Sequence, residues 1–198
     1  MNSPSRFIIT PKNNRYNNTV KVGDKNLIVN TNIETFQSVS KEAIVHAVPK
    51  TYKGKIKIGD QVMIHHNIFR RFYDIKGKEK NSGSYFKDNL YFIEPYQIYL
   101  YKNTDKWIAN FDYCFVIPTK SIDNFNTNKE EPLTGILKYG NKFLENVGVN
   151  EGMIVTFTPN SEFEFVVDNE LLYCMKSNDI ALVYEQQENK IKYNPSWT

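Results

Sequence analysis

The sequence predicts an all-β protein made of two small β-barrels in tandem, and two observations carry that prediction. Apolar and polar residues alternate in short runs with no sustained helical period. One pattern of glycine, valine and asparagine recurs in the same order in both halves of the chain. The length, 198 residues, suits one or two domains at ~150 residues each. Hydrophobic residues make up 40% of the chain and aromatic residues 14%, enough to fill a core and too many for a disordered chain.

Taken in chain order, Arg6-Phe7-Ile8-Ile9 is a short apolar strand, expected to add to the sheet edge of a neighbouring subunit. Ile56 and Ile58 alternate with lysines, and Val62 and Ile64 continue that face after the Gly59-Asp60 turn. Tyr91-Phe92-Ile93 and Tyr99-Leu100-Tyr101 are rich in strand-favouring residues. Residues 121–131 are polar with two isolated apolar side chains, a composition that suits a loop. Residues 142–147 form the best candidate helix, one or two turns ended by Gly148. Glu162-Phe163-Glu164-Phe165 reads as a strand with one wet and one dry face.

The repeat joins these elements. Gly59-Asp60-Gln61-Val62-Met63-Ile64-His65-His66-Asn67 matches Gly152-Met153-Ile154-Val155-Thr156-Phe157-Thr158-Pro159-Asn160 in its glycine, valine, bulky apolar residue and asparagine. Downstream, Tyr91-Phe92-Ile93 with Gln97-Ile98 matches Tyr173-Cys174-Met175 with Asp179-Ile180. Upstream, Ala43-Ile44-Val45 is matched more weakly by the run from Thr134 to Tyr139. Glycine makes the tight turn into a strand, and the alternating apolar residues face a small interior. The first copy is longer between its landmarks, and the extra residues fall within 69–89 as an inserted hairpin. Residues 1–118 are thus expected to form the first barrel with an N-terminal extension, 119–188 the second, and 189–198 a C-terminal tail.

Several function classes drop out. No apolar run approaches the ~20 residues needed to cross a bilayer, and the first ten residues lack the order of a signal peptide. Two cysteines, Cys114 and Cys174, are too few for a disulfide framework, so a cytoplasmic protein with reduced thiols is expected. The net charge of +3, from 25 basic and 22 acidic residues, is far from that of a dedicated duplex binder. His65 and His66 are adjacent on an expected strand and point to opposite faces, so they share no metal. Nucleotide-binding, nucleophile-elbow and zinc-protease motifs are absent, and Cys114 reads as a core residue. Neither catalysis nor a cofactor is expected.

With these motifs in view, "KIKIGDQVMI", "VGVNEGMIVTF" and "LYCMKSNDIALV" resemble the chaperonin-10 family, the co-chaperonins that cap chaperonin rings. Residues 133–184 resemble it best; 27–101 look like a diverged copy in which Gln97-Ile98 replaces Asp-Ile. Two copies in one chain are similar to the tandem co-chaperonins of chloroplasts, and the chain as a whole to divergent bacteriophage members. The resemblance implies two chaperonin-10-like (GroES-like) barrels, a homo-oligomeric ring, and a group I chaperonin ring as partner, with ATP bound by that partner. It also implies that a loop after the first barrel strand inserts an apolar triplet into the partner. By position the loops are 31–40 and 119–132. Neither contains a contiguous triplet, so the anchor candidates are Ile33, Phe36 and Val39 in the first copy and Ile122 and Phe125 in the second. The roof hairpin that the family carries before the Gly-Asp turn has only residues 49–55 available in the first copy.

Two other readings make different demands. A viral structural or assembly protein would use the same barrels to present a rigid complementary surface. A single-strand nucleic-acid binder would use Arg70, Arg71, Phe72, Lys76, Lys78 and Lys80, with rings stacking bases and cations tracking phosphates. Asp74 and Glu79 interrupt that charge, and a nucleic-acid partner is the lesser expectation.

Overall fold

In the computed structural model of the chain, the described residues are 3–17, 19–28, 38–121, 129–184 and 191–195. They form an all-β fold of antiparallel sheets with one short helix. Two compact units divide the chain, Met1–Lys106 and Trp107–Thr198.

The strands of the first unit are β1 (Phe7–Pro11), β2 (Thr19–Val22), β3 (Lys25–Ile28), β4 (Glu42–Ala47), β5 (Gln61–Ile64), β6 (Arg71–Tyr73), β7 (Glu79–Asn81), β8 (Tyr85–Lys87), β9 (Leu90–Ile93) and β10 (Ile98–Asn103). The strand β11 (Lys106–Ala109) follows β10, and the sheet runs β11-β10-β5-β4-β1-β9-β8. The hairpins β2–β3 and β6–β7 stand apart from it. The second unit contains β12 (Tyr113–Lys120), β13 (Glu130–Tyr139), α1 (Lys142–Asn146), β14 (Ile154–Phe157), β15 (Phe163–Val167), β16 (Glu170–Lys176) and β17 (Ile180–Tyr184). Its sheet runs β15-β16-β12-β13-β14-β17.

The two units repeat each other strand for strand: β8-β9-β1-β4-β5-β10 in the first is β15-β16-β12-β13-β14-β17 in the second. Register agrees as well as order. Ile9 pairs with Val45 and Tyr91, and Val116 pairs with Leu137 and Tyr173. Each central strand is irregular one step earlier, between Ile8 and Ile9 and between Phe115 and Val116. The Gly59 N–H donates to Val45 O at 2.8 Å, and the Gly152 N–H to Leu137 O at 2.7 Å. Both glycines sit at positive φ, +91° and +93°, where a side chain would be strained. Asp88-Asn89 and Asp168-Asn169 turn the β8–β9 and β15–β16 hairpins with positive φ at both residues, the twist a two-residue hairpin favours.

Burial follows the pairing. Phe7, Ile9, Val45, Val62, Ile64 and Tyr91 fill the first unit; Cys114, Val116, Leu137, Val155, Tyr173 and Met175 form the core cluster of the second. Helix α1 adds Leu144 to that cluster. Asn141 caps it by accepting the Leu144 N–H at 3.1 Å, and Gly148 at φ +82° ends it.

Several sequence expectations are corrected here. Neither sheet closes among the described residues: the end strands of each are not paired with one another. The compact units divide the chain at 106/107, and β12 pairs with β13 and β16 within the second. Residues 6–9 are not a free arm, since β1 is held between β4 and β9 with Phe7, Ile8 and Ile9 at most 1% exposed. Ile56 and Ile58 lie outside any strand, Ile56 buried and Ile58 exposed, where Asp60 accepts the Lys57 N–H at 2.8 Å and bends the chain. Phe163 is exposed while Phe165 is buried, so the expected dry face begins at Phe165. The inserted hairpin is present as β6–β7, and residues 49–55 contain no strand.

Candidate functional site

Each unit sends out a segment from the same place, between its central strand and the next strand of the sheet. In the first, Pro11 pairs with Ala43, and the Lys12 N–H donates to Glu42 O at 3.1 Å. In the second, Lys120 pairs with Glu130, and the Ser121 N–H donates to Lys129 O at 2.9 Å. The residues that flank 13–41 and 122–128, Lys12 with Glu42 and Ser121 with Lys129, therefore stand at matching ends of the two sheets. Ile33, Phe36, Ile122 and Phe125 lie outside the described residues. Val39 is described, and it is no displayed anchor. It bridges Tyr16 and is 3% exposed, in a stem extended by Asn17 N–H to Ser38 O and Ser40 N–H to Arg15 O. Within the same segment, β2–β3 exposes Val22, Leu27 and Ile28. The alternation of "VKVGDKNLIV" around Gly23 was the available hairpin signal.

The stem of the first segment is clamped to the inserted hairpin. The Arg15 guanidinium donates to Phe69 O, to Arg70 O at 3.2 Å and to Asn81 Oδ1 at 2.6 Å, gripping both sides of the hairpin base. Tyr16 Oη accepts the Arg71 N–H at 2.8 Å, and the Arg71 guanidinium lies over the Tyr16 ring and pairs with Glu79 at 2.9 Å. Pairing of Arg71 with Asn81, Phe72 with Lys80 and Tyr73 with Glu79 sets Phe72 and Lys80 on one face and Arg71, Tyr73 and Glu79 on the other. Lys78 shares the Phe72 face and Lys76 sits in the turn. Arg70 lies before the hairpin, partly buried and near His66. The six candidate nucleic-acid contacts are thus split among four places, with Arg71 already engaged by Tyr16 and Glu79.

No family model matches the chain, and no curated protein is similar to it in sequence.

His65 and His66 do not point to opposite faces as expected for a strand. The strand ends at Ile64, a 3-10 turn begins, and the two rings stack 4.1 Å apart. Burial, with His65, Lys41 and Arg70 nearby, lowers the His66 pKa to about 4. Among the described residues no group of three or more His, Cys, Asp or Glu side chains is set to hold a metal ion. Both cysteines are buried and unbridged. Burial pushes the Cys114 thiol up to about 12 and raises Cys174 well above its ordinary value, so both stay protonated at neutral pH. The Tyr173 hydroxyl donates to Glu130 Oε2 at 2.6 Å, and burial with Glu164 and Glu162 close by raises the Glu130 carboxyl. No described helix is long and apolar enough to cross a membrane.

Proposed function

We propose that the chain is a non-enzymatic co-chaperonin, built from two diverged chaperonin-10-like units, that caps a group I chaperonin ring while the partner hydrolyses ATP. The observation that carries this reading is the duplicated position of segments 13–41 and 122–128, each spanning the central strand and its neighbour. This is where the resemblance puts the partner-binding loops. A loop that orders on binding gains little affinity by itself. Several loops on one ring act together, and avidity adds roughly 10²–10⁴-fold. Ring formation is favoured by β17, the last strand of its sheet, which exposes Leu182, Val183 and Tyr184; such an apolar edge invites a further strand.

The test mixes the full chain with a bacterial group I chaperonin and ATP and follows complex formation by native mass measurement. The expected result is a nucleotide-dependent complex that Ile33→Asp or Ile122→Asp weakens. No complex with that chaperonin at roughly 50 µM, a weak-binding limit, overturns the reading and favours an assembly role for the same units.

A further inference from the structure

We propose that the β6–β7 hairpin is a second, pre-ordered arm for the same partner, inserting Ile75 into an apolar pocket rimmed by carboxylates. The identity of that partner rests on the co-chaperonin reading. Ile75 is fully exposed, at 102%, on the tip of a turn that is otherwise tightly specified. Asp74 Oδ1 accepts the N–H groups of Lys76 and Lys78, both at 2.9 Å. The Asp74 N–H donates to Lys78 O and the Gly77 N–H to Asp74 O, again at 2.9 Å. Gly77 at φ +71° completes the reversal. At the other end, Arg15 and Tyr16 hold the hairpin base. An apolar side chain carried on such a frame loses little freedom on docking.

The charges say what kind of pocket it fits. Both carboxylates of the hairpin are engaged within it, Asp74 by backbone amides and Glu79 by Arg71. Lys76, Lys78 and Lys80 are exposed and have no carboxylate partner among the described residues. Lys76 follows Ile75 in the turn, and Lys78 and Lys80 continue the positive charge along the returning side of the hairpin, which complements an acidic rim. A nucleic-acid strand fits less well, since the tip residue has no ring to stack on a base and Phe72 and Tyr73 face opposite ways.

The experiment titrates the full chain against a group I chaperonin with ATP, comparing wild type, Ile75→Asp and a triple Lys76→Glu, Lys78→Glu, Lys80→Glu variant. Thermal melts check folding, and an oligothymidine strand serves as a second probe. Ile75→Asp is expected to weaken binding about ten-fold or more with an unchanged melt, and the triple variant to weaken it most at low salt. Wild-type binding that Ile75→Asp leaves unchanged overturns the arm and leaves the co-chaperonin reading standing. A wild type that does not bind overturns both. Oligothymidine binding that Phe72→Ala removes and Ile75→Asp spares also overturns the arm, by giving the hairpin to single strands.

Discussion

The guanidinium of Arg71 lies 4.9 Å from the centroid of the Tyr16 ring, while the Tyr16 hydroxyl accepts the backbone N–H of the same arginine at 2.8 Å. Residues far apart in sequence thereby fix the first strand of the inserted hairpin to the stem of the first segment.

Tyr16→Phe keeps the ring under the guanidinium and removes the acceptor, at an expected cost of about 1 kcal/mol. Tyr16→Ala also empties a site that is 7% exposed and should cost about 3 kcal/mol or more. Denaturant melts measure both. Hydrogen exchange should show the amides of 71–81 opening faster in each variant. Protection in the hairpin equal to wild type would mean that Arg15 alone holds it.

Gly135 tests the β12–β13 pairing, where it lies opposite Pro118. A Cβ there would meet the Ile117 carbonyl oxygen at 2.5 Å and the Val116 side chain closer still. Backbone cannot yield as a flexible side chain can, so Gly135→Ala should destabilise the second unit by about 1–3 kcal/mol. Gly140→Ala is the control, because its Cβ meets only Leu137 Cδ2, at an ordinary 3.5 Å. Equal melting temperatures for the two variants would contradict the close β12–β13 approach.

The same turn chemistry recurs with different residues in the two units. Gln97 Oε1 accepts the Glu94 N–H at 2.8 Å, and Asp179 Oδ2 accepts the Lys176 N–H at 3.1 Å. What the repeat retains is the acceptor, which an amide or a carboxylate supplies equally. Gln97→Ala and Asp179→Ala should each cost about 1 kcal/mol, whereas Gln97→Glu and Asp179→Asn should cost little. Thermal melts that rank the alanine and conservative variants alike would show the bond to be dispensable.

What was legible in the sequence is what local chemistry repeats. Gly59 and Gly152 announced matching turns because each needs positive φ, and Tyr91 and Tyr173 fell into register because each faces the central strand. The pairs Asp88-Asn89 and Asp168-Asn169 carried the same information, and only their adjacency to strand-like runs was needed to see it. Long-range pairing was not legible. Nothing local in Phe7-Ile8-Ile9 says whether that strand joins its own sheet or another, and nothing in Ile56-Lys57-Ile58 reveals that Asp60 bends it. The clamp at Arg15 and Tyr16 was hidden for the same reason, since its partners lie in the hairpin at 69–81.

The histidine turn predicts a pH dependence. Burial first, then His65, Lys41 and Arg70, lowers the folded-state pKa of His66 to about 4, against ~6.5 in an unfolded chain. Between those values the unfolded state takes up a proton that the folded state does not, so stability falls as pH falls through the window and levels off below about 4. The ring is only partly buried, so after allowance for solvent screening the loss is on the order of 1 kcal/mol. His65, lowered by burial and Lys41, works in the same sense. Glu130, raised by burial and its acidic neighbours, works in the opposite sense. The clean measurement is therefore the difference between wild type and His66→Gln in denaturant melts across this range. Wild type should lose stability faster on acidification than the variant. Parallel profiles would mean that the proton taken up on unfolding does not belong to His66.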